Sequence, residues 1–331
     1  MARIQWIDYA KGVTIFFVFF VHVIEGIYKT QLYPEYYGFL TTIMGIVFTF
    51  VMPIFFALSG YLYHQAANWG DWRRRIKNKA IGLLVPYIIF SIIFVGLQHI
   101  NQGRVHTLYA WQSLLGIFWQ PIGYLWFLLV LFYIFVLVSL LDMLKVRAGW
   151  QISLYLIGLC LSMTIAMPLV IQLVLMWTLP FYIGRLCYQY PDLYTSHTIF
   201  RWALLGLMIW LIAQVLLVAT WYNTNMFHGF DFGSKLLSII VGFHLFAKHH
   251  SNYMYSNFSK YGVWSMIIYL VHAPSASIIR TILLKFGVNN FWLVLGLTLV
   301  FTWCFSVWIA RQTEKYTWLN YIFYPNRWRL W

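Results

Sequence analysis

The chain has 331 residues, of which 62% are hydrophobic and only 9% are charged, and the few charges sum to +14. A soluble domain carries roughly 25% charged residues. Too few polar side chains remain here to cover a water-facing surface, which excludes an ordinary soluble enzyme, a disordered chain and a disulfide scaffold. Cys160, Cys187 and Cys304 lie in or at the ends of apolar runs. They have neither metal-ligand spacing nor a pairing pattern and read as small buried apolar residues.

Apolar runs long enough to cross lipid recur along the whole chain. They predict an all-α, polytopic transmembrane bundle with residues 1–331 as a single membrane-embedded domain. Ten spans are expected, at 12–28, 37–64, 80–98, 125–144, 150–167, 169–188, 199–220, 234–247, 262–284 and 290–311. The first follows a basic start, as a signal peptide would. No small-x-small cleavage site follows it and it carries His22 and Glu25, so it is expected to be retained. Residues 107–119 are apolar but too short to span, and are expected to lie at the interface or to re-enter. Pro53, Pro86, Pro180 and Pro274 fall inside spans, where kinks are expected. With the N-terminus placed in the cytoplasm, seventeen of the Lys and Arg residues fall on that side and five on the other. This asymmetry orients both termini inward.

Ionisable groups inside a span are costly and usually functional. The first span brings four together: Asp8, Lys11, His22 and Glu25. On a helix, Lys11 and His22 are about 20° apart in projection and about 16 Å apart along the axis, and Asp8 and Glu25 lie within about 60° of His22. All four can face the bundle interior. A cation at the inner mouth suits an anionic ligand, and a deeper imidazole suits proton abstraction from a hydroxyl. A carboxylate one turn away suits orientation of that imidazole. The same residues also read as a proton relay, or as a packing histidine with a snorkelling lysine.

The stretch Arg3-Ile-Gln-Trp-Ile-Asp8-Tyr-Ala-Lys11-Gly12, continuing through an apolar run to His22, resembles the start of the acyltransferase 3 family of integral membrane acyltransferases, and most closely its fucose 4-O-acetylase-like branch of sugar O-acetyltransferases. That family carries a basic residue, ten residues and a histidine in its first helix. Lys11 and His22 fit, with Lys where Arg is frequent. Further family-like stretches follow in order: Pro53 to Tyr61, the basic cluster before Pro86-Tyr87, Leu125-Trp126-Phe127-Leu128, Pro180 to Gly184, and Ser265 to Pro274 with His272 inside it. The resemblance covers about the whole chain. It implies acyl transfer, usually of acetyl, from cytoplasmic acyl-CoA to a sugar hydroxyl of a lipid-linked or exported glycan, at the inner membrane if the host is bacterial. Acetyl-CoA is then a substrate, and no metal is called for.

On that reading His22 is the general base, or the carrier of a transient acetyl group, and Glu25 or Asp8 supports the imidazole. The alternative for Asp8 is a pair with Lys11. Lys11 and the cluster Arg73, Arg74, Arg75, Lys77 and Lys79 suit CoA phosphates, the chief candidates being Lys11, Arg74, Arg75 and Lys79. The cluster equally suits orientation and anionic lipid. Trp126, His272 and Tyr61 are the candidates for acceptor contact. His244 reads as a core residue, Asp231 and His228 as residues of a solvated outer loop, Arg185 as a snorkelling residue, and Ser59-Gly60 as a close helix approach. The partners expected are acyl-CoA, a glycan or lipid-linked sugar, and membrane lipid, with no nucleic acid; a homo-oligomer is left open. The competing reading is a transporter or flippase for a glycolipid or anionic solute, which explains the intramembrane His and Glu equally well. It predicts internal symmetry, and the chain shows none.

Overall fold

A computed structural model describes residues 4–100, 108–217, 229–248 and 252–325, and these contain helices and connecting turns with no strand. The helices are α1 (Gln5–Tyr28), α2 (Tyr37–Tyr61), α3 (Trp69–Ile100), α4 (Trp126–Met143), α5 (Ala148–Thr164), α6 (Leu169–Gln189), α7 (Asp192–Thr195), α8 (His197–Leu217), α9 (Gly229–Ala247), α10 (Tyr253–Val263), α11 (Ser265–Lys285), α12 (Phe291–Lys315) and α13 (Thr317–Phe323). Each expected span has a helix. Among the described residues, eight helices are long and apolar enough to cross a membrane. The other two are α5, which has 17 residues, and α9, whose first turns carry Asp231 and Lys235. Pro53, Pro86, Pro180 and Pro274 lie within helices.

Large apolar side chains point outward at helical spacing. Trp202, Leu205, Ile209, Ile212 and Leu216 do so along α8, and Phe301, Phe305 and Trp308 along α12. A water-soluble protein does not expose such stripes; they are faces for lipid. Cys160 and Cys304 share this outer surface, and only Cys187 is buried. The expectation of three buried cysteines therefore holds for one. The other two sit where lipid, rather than protein, removes them from water.

The chain divides into two compact units. One holds Met1–Tyr61 with Ile183–Ala310, the other Leu62–Tyr182 with Arg311–Trp331. In the first, α1 packs against α2, α9, α10 and α11. Its contact with α10 is backbone to backbone. A Cβ on Gly12 would overlap the Phe258 carbonyl oxygen, and one on Gly262 would overlap that of Asp8. Small residues permit such an approach, which gives dispersion contact where lipid supplies no hydrophobic drive. At the beginning of α1, Trp6 packs with Tyr61, Tyr194 and Phe243, and Tyr61 and Tyr194 bring their hydroxyls to 3.2 Å. At its end the chain turns at Gln31, whose φ of 57° is left-handed, so the helix cannot continue.

In the second unit α3 packs on α4 and α13. A buried carboxylate organises the α4–α5 end: Asp142 accepts hydrogen bonds from Tyr63 (2.6 Å) and Gln151 (2.9 Å). Residues after 108 form short 3-10 turns at Trp111–Gly116 and Gly123–Leu125. Tyr87 of α3 donates to the Ile117 carbonyl at 2.6 Å. Trp111, Leu115 and Trp119 stay exposed, as suits a segment lying along an interface.

Candidate active site

Of the ionisable groups expected to share a face of α1, Glu25 meets His22. Its Nδ1 lies 3.0 Å from Glu25 Oε2, one turn further along the helix. Glu25 Oε1 accepts a second bond from Lys29 Nζ at 2.6 Å. A carboxylate only accepts, so His22 Nδ1 carries the proton and Nε2 is the basic nitrogen of the neutral ring. Glu25 thereby holds both the orientation and the tautomer of the imidazole, and Lys29 holds Glu25. The His22 and Glu25 side chains are about four-fifths buried, which strengthens their interaction relative to water.

A second imidazole faces the first. His272 of α11 is fully buried, and its ring centroid is 5.2 Å from that of His22. Its Nδ1 lies 2.7 Å from the Tyr269 carbonyl and 3.1 Å from that of Ile268. Carbonyls cannot donate, so this ring also carries its proton on Nδ1. Phe48 of α2 packs edge-on to His22. Arg280, two turns beyond His272, is 9% exposed, and its guanidinium covers Gly26 so closely that a Cβ there would collide with Nη1.

Asp8 and Lys11 are half-buried in the early turns of α1, about 16 Å of helix rise before His22 in the case of Lys11. Asp8 faces α10. Burial, then the neighbouring Tyr9 and Asp8, push the Tyr255 hydroxyl above its ordinary value. Tyr61 belongs to the Trp6 cluster, at the Lys11 end of α1 rather than beside His22. Arg74, Arg75, Lys79 and Trp126 belong to the second unit. Asp71 accepts from Arg74 Nη2 and from Arg75 Nε, both at 2.7 Å. Lys79 Nζ sits 5.0 Å above the Phe135 ring, and Trp126 packs with Trp177 at 6.0 Å.

Several lesser readings resolve. Asp231 is not in a solvated loop: it is 1% exposed in the first turn of α9, one turn before the equally buried Lys235. The apolar stretch had set the start of this span too late, because the helix begins before the run does. His228 lies outside the described residues. His244 is a core residue, stacked on Phe200 and hydrogen-bonded through Nδ1 to the Tyr194 carbonyl. Ser59 donates to the Phe55 carbonyl of its own helix. Arg185 is 9% exposed and so does not snorkel to water. Lys29 and Arg280 are the site residues that sequence reasoning missed. Lys29 was available from its i,i+4 spacing to Glu25, and Arg280 as a charge inside a span.

Fold and site together define an all-α integral membrane protein with a histidine–carboxylate pair inside its first helix. Comparison with known proteins specifies it further. The acyltransferase 3 family model, described as an acyltransferase domain, matches residues 4–311, and the chain belongs to that family. It is 25% identical over 218 residues to nodulation protein NolL of Mesorhizobium japonicum, covering 65% of this chain and 55% of that protein. It is 30% identical over 101 residues to glucans biosynthesis protein C of Salmonella typhi and of Salmonella typhimurium, covering 28% of this chain and 26% of theirs. The chain thus spans about half the length of the first of these relatives and about a quarter of the others. No solved structure matches it.

Proposed function

We propose that the protein is a membrane O-acyltransferase that moves an acetyl group from cytoplasmic acetyl-CoA to a sugar hydroxyl of a lipid-linked or exported glycan. The observation that carries this reading is the His22–Glu25 pair at 3.0 Å, on the first helix of a chain that belongs to an acyltransferase family. The name of glucans biosynthesis protein C supports a glycan as the acceptor.

In this mechanism His22 Nε2 takes the proton of the acceptor hydroxyl as its oxygen attacks the thioester carbonyl. The carbon–sulfur bond breaks, the acetyl ester forms, and the imidazolium returns its proton to the departing CoA thiolate. Glu25 stabilises the imidazolium while it exists. Lys11 is one candidate to supply positive charge for the phosphates of CoA, and the cluster Arg74, Arg75 and Lys79 is a separate one; Lys binds phosphate as a point charge and Arg through its fork. The donor enters from the Lys11 end and the acceptor from the Lys29 end. The lysine and arginine asymmetry supports an orientation with both termini cytoplasmic, in the inner membrane if the host is bacterial.

The test is His22→Ala, assayed for transfer of labelled acetyl from acetyl-CoA in membranes, alongside the acetyl content of the host's surface glycans. Loss of both at normal expression is expected. Near-normal turnover refutes the proposal, and a purified protein that neither binds CoA nor transfers acetyl would favour a transporter.

A further inference from the structure

Arg280 is a charge in the first unit that the mechanism does not use. It lies on α11, inside a helix apolar enough to cross a membrane, and is 9% exposed. Among the described residues its guanidinium makes no hydrogen bond and no ion pair. An arginine inside a spanning helix is costly, and such residues are normally paired or functional. Its surroundings do not compensate it. The guanidinium lies over Gly26, a position that any side chain would block. The adjacent Glu25 has both oxygens engaged, by His22 and by Lys29. Glu25 and Lys29 cancel, leaving this end of the α1–α11 contact with one uncompensated positive charge.

The position of that charge along the helices is also defined. His22 meets His272 and Gly26 meets Arg280, so α1 and α11 advance in the same direction. Gly26 is about 6 Å of rise beyond His22. Arg280 is about 12 Å beyond His272, and a helical side chain leans back toward the N-terminus, which brings its tip to the level of Gly26. The guanidinium therefore lies one turn past the His22 imidazole, on the side away from Lys11.

We propose that Arg280 anchors an anionic group of the acceptor, a carboxylate or phosphate carried by an acidic sugar unit or by the lipid that carries it, and thereby sets the acceptor's hydroxyl at His22. This deepens the acyltransferase reading and rests on it for the word acceptor. A guanidinium fork matches either oxyanion with two parallel hydrogen bonds, and the absence of a side chain at Gly26 leaves it room. A neutral sugar on a neutral carrier does not satisfy the charge, so the site selects an acceptor with an oxyanion on its sugar or on its lipid.

The experiment measures binding without acyl transfer, so it stands apart from any test of the chemistry. Full-length protein in phosphatidylcholine nanodiscs is titrated with glucose, glucuronate, glucose 1-phosphate and dodecyl phosphate, following the thermal midpoint and the dissociation constant. Wild type is expected to be stabilised by the anionic probes and not by glucose. Arg280→Gln is expected to weaken that binding at least tenfold and Arg280→Lys to weaken it less. A stronger response to the sugar anions assigns the group to the sugar; a stronger response to dodecyl phosphate assigns it to the lipid carrier. Without ligand, Arg280→Gln should unfold at a midpoint equal to or above that of wild type, because it removes a buried unpaired charge; a structural arginine would give a lower one. Equal anion binding by wild type and Arg280→Gln, no response to any anionic probe, or a collapse of the ligand-free midpoint in both Arg280 variants overturns the proposal.

Discussion

Replacing Glu25 with Gln tests the proposed mechanism at the His22–Glu25 contact. The substitution keeps the shape of the side chain and removes its charge. Glu25 Oε2 stands 3.0 Å from His22 Nδ1, which sets the centres of the two charges about 4 Å apart once the ring is protonated. Unit charges at that distance attract by about 4 kcal/mol at an effective dielectric of 20. The amide retains a neutral hydrogen bond of about 1 kcal/mol. The imidazolium formed as the hydroxyl loses its proton therefore forfeits about 3 kcal/mol, or roughly a hundredfold in rate. The amide also turns an NH2 group toward either Lys29 or His22, both donors, which can only deepen the loss. The assay is initial-rate transfer of labelled acetyl from acetyl-CoA in membranes, normalised to the amount of folded protein. kcat should fall about a hundredfold with the KM for acetyl-CoA unchanged. A fall of less than threefold would refute the assignment of Glu25 as the support of a general base. Lys29→Met is the companion variant: this lysine is 47% exposed, and the pair it forms is worth about 1 kcal/mol or less, so a fall of no more than about fivefold is expected.

Other outcomes follow from the packing. Gly262→Ala would drive a methyl group into the Asp8 carbonyl, backbone that has nowhere to move. A loss of at least about 2 kcal/mol is expected, seen as a lower thermal midpoint in detergent, whereas Gly296→Ala meets open space and should be neutral; equal midpoints for the two would show that α1 and α10 do not touch. Asp142→Ala leaves the Tyr63 hydroxyl and the Gln151 amide without their acceptor and should cost about 3 kcal/mol, with normal expression and midpoint counting against the buried network. Arg74→Ala combined with Arg75→Ala should raise the KM for acetyl-CoA severalfold and leave kcat intact. An unchanged KM would assign these arginines to orientation or lipid instead of the donor.

Much of the first helix was legible in the sequence, because helical periodicity is a local property. Lys11, His22 and Glu25 share a face whatever the rest of the chain does, and a histidine three residues before a glutamate meets it within one turn. The spans were legible for the same reason: lipid obliges each to satisfy its own backbone hydrogen bonds within a continuous helix, so composition alone marks them. Where composition was mixed the reading slipped. α9 begins at Gly229, ahead of its apolar run, and Asp231 is buried by packing that no local pattern encodes. The sequence by itself thus determined a helical membrane chain, its family and the histidine–carboxylate pair. Only the tertiary structure placed His272 against His22 and Arg280 over Gly26, and set Tyr61 among Trp6, Tyr194 and Phe243 at the other end of α1. Those contacts join residues up to 254 positions apart, as Gly26 and Arg280 are. They exist because glycines let helices approach and because α11 lies alongside α1 in the same direction, a choice made by the shape of whole helices and not by any stretch of sequence.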